Sequence, residues 1–243
     1  VEEAYNQEDH VVQHISSFAL YRESRDWVGN FTQEWPLFGA KHQLSYTLAW
    51  LDPGEEAPGG AGAGDLALNY RWQAAGGSGE ALAFAWRVSV LLPTGDDEKG
   101  RGSGSTGFQL NLPLSLRISP GLAAHSNAGI QHFSSERNDA GDEAGTTGYN
   151  LGQSLIWLLR PDFNLMLEAA WTSFEEVTGP GRTSRSSTFL LSPGARWALN
   201  LPSGTQIVPG VALPVGVGPS SGDYGLFLYL SFEHPFGAGS AER

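Results

Sequence analysis

Residues 106–118, TGFQLNLPLSLRI, alternate almost without fault between apolar and polar side chains. Phe108, Leu110, Leu112, Leu114, Leu116 and Ile118 fall on one face of an extended strand, and Gln109, Asn111, Ser115 and Arg117 on the other. Side chains switch faces at every step along a strand, so the segment has one apolar wall and one polar wall. It is also long. An average strand runs about 5–6 residues, whereas a tilted strand needs roughly 9–11 to cross a bilayer. Length and clean alternation together point to a membrane barrel with a wet interior.

Composition is consistent with that reading. The 243 residues contain no run of about 18 apolar residues, which excludes a transmembrane helix. A transmembrane barrel is not excluded, because half of every strand is polar. The 32 glycines and 14 prolines supply turns. A net charge of −12 argues against nucleic acid, whose phosphates need Lys and Arg. With no cysteine there is neither disulfide nor thiolate metal site, and no metal or cofactor is expected. The chain starts VEEAYNQEDH, polar and acidic, as a mature form would after removal of a leader.

Twelve stretches qualify as strands: 11–22, 27–37, 42–51, 65–74, 81–92, 106–118, 122–134, 146–159, 163–174, 186–199, 206–217 and 224–236. The first alternates poorly; without it the count is eleven. No helical period persists, and no linker or second domain is visible. The expected organisation is a periplasmic segment (1–10), a barrel (11–236) and a C-terminal tail (237–243). Connections alternate between short (PLFGAK, AAGGSGE, SPG, RPD, LPSG) and mostly long and Gly-rich (DPGEEAPGGAGAG, PTGDDEKGRGSGS, SERNDAGDEAGT, EEVTGPGRTSRS, GPSSGD). Short periplasmic turns and longer extracellular loops mark outer-membrane barrels. The fold class is therefore an all-β, antiparallel, up-and-down transmembrane barrel of about 12 strands.

All 8 tryptophans fall on the apolar faces. Trp35, Trp72, Trp157 and Trp197 lie near the short-turn ends, Trp27, Trp50 and Trp171 near the long-loop ends, and Trp86 mid-strand. Amphipathic rings favour the two membrane interfaces, so these read as aromatic girdles. The opposite faces line a lumen. Arg71, Arg87 and Arg117, from consecutive strands, are expected to form one basic patch, with Arg196, His125 and Asn127 on the same polar side. Glu34, Glu168 and Glu233 would face the patch across the bore. This set is either a charged constriction that selects solutes or a salt-bridged filling of a narrow barrel.

The pieces GDLALNYRWQ (64–73), LLPTGD (91–96), GSGST (102–106) and LAAHSNAGIQHF (122–133), in this order, resemble the MetA-pathway of phenol degradation group of Proteobacterial outer-membrane proteins. The resemblance covers roughly 40–236. It implies an outer-membrane barrel taking up aromatic or other hydrophobic compounds, and it brings no catalytic residues. The region before residue 40 matches poorly, and GAGSAER extends past Phe236, where such chains usually stop.

HSNAG (125–129) is similar to the His-x-Ser-Asn core of outer-membrane lipid A deacylases. Here, however, His125 and Ser126 are adjacent, so a regular strand sends them to opposite faces. Acidic clusters at Asp96, Asp97 and Glu98, at Asp139, Asp142 and Glu143, and at Glu175 and Glu176 read as solvated loop charge. A divalent bridge to lipopolysaccharide phosphates is the alternative. Pro113, Pro193, Pro209 and Pro214 lie within strands and lack an N–H. Pro193 and Pro209, on neighbouring strands, mark either a weakened wall or bulges. The expected function is a passive outer-membrane channel for small, hydrophobic or aromatic solutes, not an enzyme, in contact with membrane lipid and lipopolysaccharide. The alternatives are a scaffold for a periplasmic or surface protein partner and, third, a lipid-modifying enzyme.

Overall fold

A computed structural model of the chain describes residues 1–54, 59–77 and 80–236. Its strands are β1 (Val11–Tyr21), β2 (Trp27–Pro36), β3 (His42–Asp52), β4 (Gly62–Ala75), β5 (Leu82–Leu92), β6 (Gly107–Ser119), β7 (Leu122–Arg137), β8 (Glu143–Arg160), β9 (Phe163–Gly179), β10 (Arg182–Trp197), β11 (Leu199–Asn200), β12 (Gln206–Ala212), β13 (Val215–Gly216) and β14 (Gly225–Pro235). Neighbours in sequence pair antiparallel from β1 to β10, and β12 joins both β10 and β14. The doubtful first strand is real and closes the barrel: β1 runs against β14 from Val11–Pro235 to Tyr21–Gly225 without a break. Twelve strands form the wall, and the two-residue β11 and β13 are accessory pieces. The 237–243 tail lies outside the described residues.

The outward face is apolar. Leu48, Trp50, Leu68, Phe108, Ile118, Leu151, Leu165 and Leu230 are among the exposed side chains, far beyond the apolar patch a soluble monomer tolerates. All eight tryptophans face outward with them by strand alternation. Trp86 is not isolated mid-wall: its ring meets Trp72 edge-on at 5.5 Å.

Two expectations about length fail on one side of the barrel. SERNDAGDEAGT and EEVTGPGRTSRS are not long loops, because β7–β10 run 16, 18, 17 and 16 residues. Only 138–142 and 180–181 remain as turns. Cross-strand polar pairs carry the ladders past the reach of the bilayer: Arg137 with Glu143 at 2.6 Å, Arg185 with Glu175 at 3.1 Å. The expected strand 206–217 is instead broken at Leu213–Pro214 into β12 and β13. Pro214 has no N–H to donate, but its carbonyl still accepts from the Gly225 N–H at 2.8 Å, and the register to β10 resumes at Val215–Leu191.

The β5–β6 loop folds onto the long-loop end of β4. Asp65 accepts from the Gly95 N–H at 2.9 Å and from the Ser103 N–H and hydroxyl at 2.9 and 2.6 Å. A Cβ on Gly95 would lie 2.1 Å from the Arg101 carbonyl oxygen, so only glycine fits. The PTGD…GSG signature therefore encodes a loop anchor.

Candidate functional site: the occupied bore

Period-two alternation brings one polar face of each strand into the bore. From β4 come Asn69, Arg71 and Gln73; from β5, Arg87 and Ser89; from β6, Asn111 and Ser115; from β7, His125 and Asn127. Glu34, Glu168, Arg196 and Glu233 complete the circuit from β2, β9, β10 and β14. These polar side chains are largely buried, Arg71 and His125 among them.

The chain's own N-terminal residues lie in the bore. Expected on the periplasmic side, residues 1–7 instead run along the lumen wall as an extended strap. The chain turns back into β1 at Glu8–Val11, with the Val11 N–H on the Glu8 carbonyl at 3.1 Å and His10 at φ 64°. The Glu2 N–H donates to Asn127 Oδ1 at 2.6 Å, and Asn127 Nδ2 returns a bond to the Glu2 carbonyl at 2.9 Å. The Ala4 N–H donates to Ser115 Oγ at 2.8 Å, that of Asn6 to Gln73 at 2.9 Å, and that of Gln7 to Gln43 at 2.9 Å. An extended segment exposes all its backbone donors and acceptors. The polar wall takes up those a sheet partner would have taken.

Charge pairing follows the strap. Glu2 meets Arg71 Nη1 at 3.1 Å, Arg87 Nε at 3.2 Å and Asn111 Nδ2 at 2.7 Å. Glu3 meets Arg196 Nη1 at 3.0 Å and lies 3.9 Å from His125 Nε2. Arg71 also donates to the Glu3 and Tyr5 carbonyls and to Asn6 Oδ1. Of the wall glutamates, Glu34 lies 3.9 Å from Arg71, Glu168 is 3.2 Å from the Val1 nitrogen, and Glu233 accepts from Gln13 at 2.6 Å. Thus Glu2 and Glu3, which the strand patterning overlooked, are the main partners of the lumen arginines. The available signal was an acidic pair in a segment preceding a wall with buried arginines.

Arg117 does not join the basic patch. Arg87 pairs with Arg71 on one side and with Asn111 on the other. Arg117 is six residues further along β6, roughly 20 Å at strand rise, exposed near the short-turn mouth. Strand stagger, invisible in sequence order, separates them. Arg196 serves instead, from across the bore.

His125 finds a serine across the ladder. Its Nδ1 is 2.7 Å from Ser115 Oγ, because Ser115 and His125 are register partners. Ser126 faces outward and donates to Gln153 at 2.7 Å. Ser115 is wholly buried and already accepts from Ala4, so the pair is a strap anchor here. Toward the long-loop mouth two aromatic rings enter the bore: Phe133 and Phe174 press on Gly107 and Gly148, where an added Cβ would lie 2.3 and 2.0 Å from the rings. Outside the bore wall, at the rim, a hydrogen bond from Lys99 lowers the Asp96 carboxyl below its ordinary value, with Arg101 adding to it. No group of three or more metal-ligating side chains occurs among the described residues.

The wall is not uniform. Between β9 and β10 the ladder runs from Thr183–Val177 to Trp197–Phe163. On the other edge of β10 it shrinks to Gly194–Ala212, Ala195–Val211 and Arg196–Gly210, then Leu190–Gly216 and Leu191–Val215. Between these two pieces lie Ser192–Pro193 and Leu213–Pro214. The Leu213 N–H reaches the Pro193 carbonyl at 3.0 Å, and proline returns no bond. Pro209 leaves the β12–β14 ladder intact, because by strand phase its missing donor faces β10, where the ladder ends at Arg196–Gly210.

The MetA-pathway of phenol degradation family matches residues 14–208. Among solved structures, the COG4313 outer membrane channel from Pseudomonas putida F1 is similar at a TM-score of 0.64 and 14% identity, covering 97% of this chain and 97% of that one. The NanC porin is similar at a TM-score of 0.59 and 8% identity, covering 93% and 100%. No curated protein matches the chain. At these identities the two structures establish the shared barrel fold.

Proposed function

Because the chain belongs to the MetA-pathway of phenol degradation family and forms a closed barrel of the outer-membrane type, we propose that it is a passive channel for small hydrophobic or aromatic solutes. The observation that carries this reading is a pairing of opposites in one wall: a polar bore occupied by a strap, beside a seam where proline removes donors from the ladder. An apolar solute gains nothing from a bore lined by Arg, Glu and Asn. It would enter at the extracellular mouth, past Phe133 and Phe174, and leave sideways into the bilayer through the β10–β12 seam. The name of the similar Pseudomonas putida structure, an outer membrane channel, agrees with this reading. In this assignment Arg71, Arg87, Arg196, Glu34, Glu168, Glu233, His125 and Asn127 form a constriction closed by the strap, and the outward tryptophans sit at the bilayer interfaces.

The test is uptake of an apolar dye, N-phenyl-1-naphthylamine, by intact Gram-negative cells with and without the barrel. Faster dye fluorescence in cells carrying the barrel is expected. Equal rates at matched expression would sink the reading.

A further inference from the structure

The Glu2 carboxylate rests in a cradle that belongs entirely to the wall. Arg71 from β4, Arg87 from β5 and Asn111 from β6 converge on it. Wall partners hold these donors in place. Arg87 Nη1 donates to Asn69 Oδ1 at 3.0 Å and to Ser89 Oγ at 2.6 Å, and Arg71 Nη2 donates to Gln43 Oε1 at 3.0 Å. Arg87 is thus positioned by the wall, while Arg71 is held by Gln43 and by the strap groups Glu3, Tyr5 and Asn6, and donors positioned in advance favour selective binding.

The wall also needs an anion there. Arg71 and Arg87 are direct register partners, and like charges directly opposite destabilise a sheet. Of the described acids on the wall, Glu34 comes near, at 3.9 Å from Arg71. Beside the cradle, on the same face of β5, Ala83 and Ala85 make a small apolar floor. Ala4 and the Tyr5 ring of the strap pack on it. Within four residues the strap thus presents a carboxylate, a methyl group and an aromatic ring to complementary wall groups.

We propose that this cradle and its alanine floor bind a solute carboxylate attached to an apolar, aromatic body, an arylalkanoate, and that the strap is a tethered stand-in which such a solute displaces. Displacement frees Arg196 as well, since Glu3 leaves with Glu2. The inference rests on the channel reading and names a solute class for the same bore.

The test uses the cysteine-free chain with Ala4→Cys, reconstituted in liposomes and labelled with a membrane-impermeant maleimide; Gln7→Cys repeats it at a site that leaves the alanine floor intact. The probes are 3-phenylpropionate, 3-phenylpropanol and acetate. Phenylpropionate should accelerate labelling, and the alcohol and acetate should not. A tethered competitor acts at an effective concentration near millimolar, so Glu2→Gln should tighten phenylpropionate binding about tenfold or more. Arg87→Gln should abolish the acceleration. Labelling that ignores phenylpropionate, or that responds equally to the alcohol or to acetate, overturns the proposal. If apolar dye uptake persists in that case, the channel reading survives alone. If phenylpropionate binds as expected but dye uptake is absent, the cradle stands and the channel reading falls.

Discussion

β10 has two edges made of the same residues, and they behave differently. Toward β9 it is paired along almost its whole length. Toward β12 and β13 it holds two short patches separated by Pro193 and Pro214. Strand propensity in β10 cannot explain the contrast, since both edges share it. The cause is the direction of the backbone groups and the partner they meet. The Pro193 carbonyl points toward β12, and so would its N–H if it had one. The missing donor therefore falls on the weak edge and leaves the strong edge untouched. Pro214 does not add to this: its carbonyl accepts from the Gly225 N–H, so its missing donor faces β14. One residue type, placed by strand phase, weakens one seam of a closed wall.

The sharpest way to break the comparison is to staple each edge. Ala195→Cys with Val211→Cys crosses the weak seam, and Ser173→Cys with Ser187→Cys crosses the strong one, where the two hydroxyls already lie 3.0 Å apart. Oxidising the first pair should slow apolar dye uptake about tenfold, equivalent to about 1.4 kcal/mol, with recovery on reduction. Oxidising the second should leave uptake unchanged. Equal effects of the two staples would remove the seam as an exit.

A side chain at position 194 should force the weak edge apart. The Cβ of a substituent at Gly194 would lie 2.8 Å from the Val211 carbonyl oxygen and 2.8 Å from the Ala212 Cβ. Gly194→Val should destabilise the barrel by about 1–3 kcal/mol, the usual cost of overpacking. A lowered heat-modifiability midpoint on gels would report it, and an unchanged midpoint would count against close approach at the seam.

Repair should act in the opposite direction. Pro193→Ala supplies the N–H that the Leu213 carbonyl lacks. It should stabilise by about 1 kcal/mol, the net worth of one hydrogen bond, and slow dye uptake. Faster uptake in this variant would contradict a ladder-limited exit.

The smallest effect concerns the rim, which should not depend on the seam. The Asp96 carboxyl titrates below its ordinary value in the folded loop, because Lys99 and then Arg101 hold the charged form. A depressed folded-state value contributes stability above the unfolded value, and that stability is lost as pH falls through the folded value. Amide exchange at Gly100 and Arg101, corrected for intrinsic rates, should speed up as pH falls, with a midpoint below the ordinary aspartate value. The stapled and unstapled barrels should give the same profile.

The strap and the wall differ in how legible they were. Which residues face lipid and which face the bore follows from alternation alone, and the strands of the barrel read directly from 106–118 and its neighbours. The weak seam was half legible: Pro193 and Pro209 were both visible as risks and by strand phase both turn their missing donors to the β10–β12 seam, whereas Pro214 turns its own to β14. Phase relative to the partner decides which proline matters, and phase is a property of the pair. The length of β7–β10 was hidden because their upper ends, such as SSER, EAGTTG and RTSRSST, are mostly polar and small on both faces, where alternation carries little signal. The Ser115–His125 contact was hidden because the two are ten residues apart in the chain and meet only through register.

What the chain determined by itself is local: two faces per strand, the turns, an apolar exterior and a charged interior. These depend on side-chain period and on backbone groups that must pair within the segment in lipid. What only the tertiary structure decided is who meets whom across the bore. Closure brought β14 to β1, stagger carried Arg117 away from Arg87, and the strap brought Glu2 and Glu3 to arginines whose expected partners were wall glutamates. Those pairings depend on distances between strands remote in sequence, and a barrel sets such distances only when it closes.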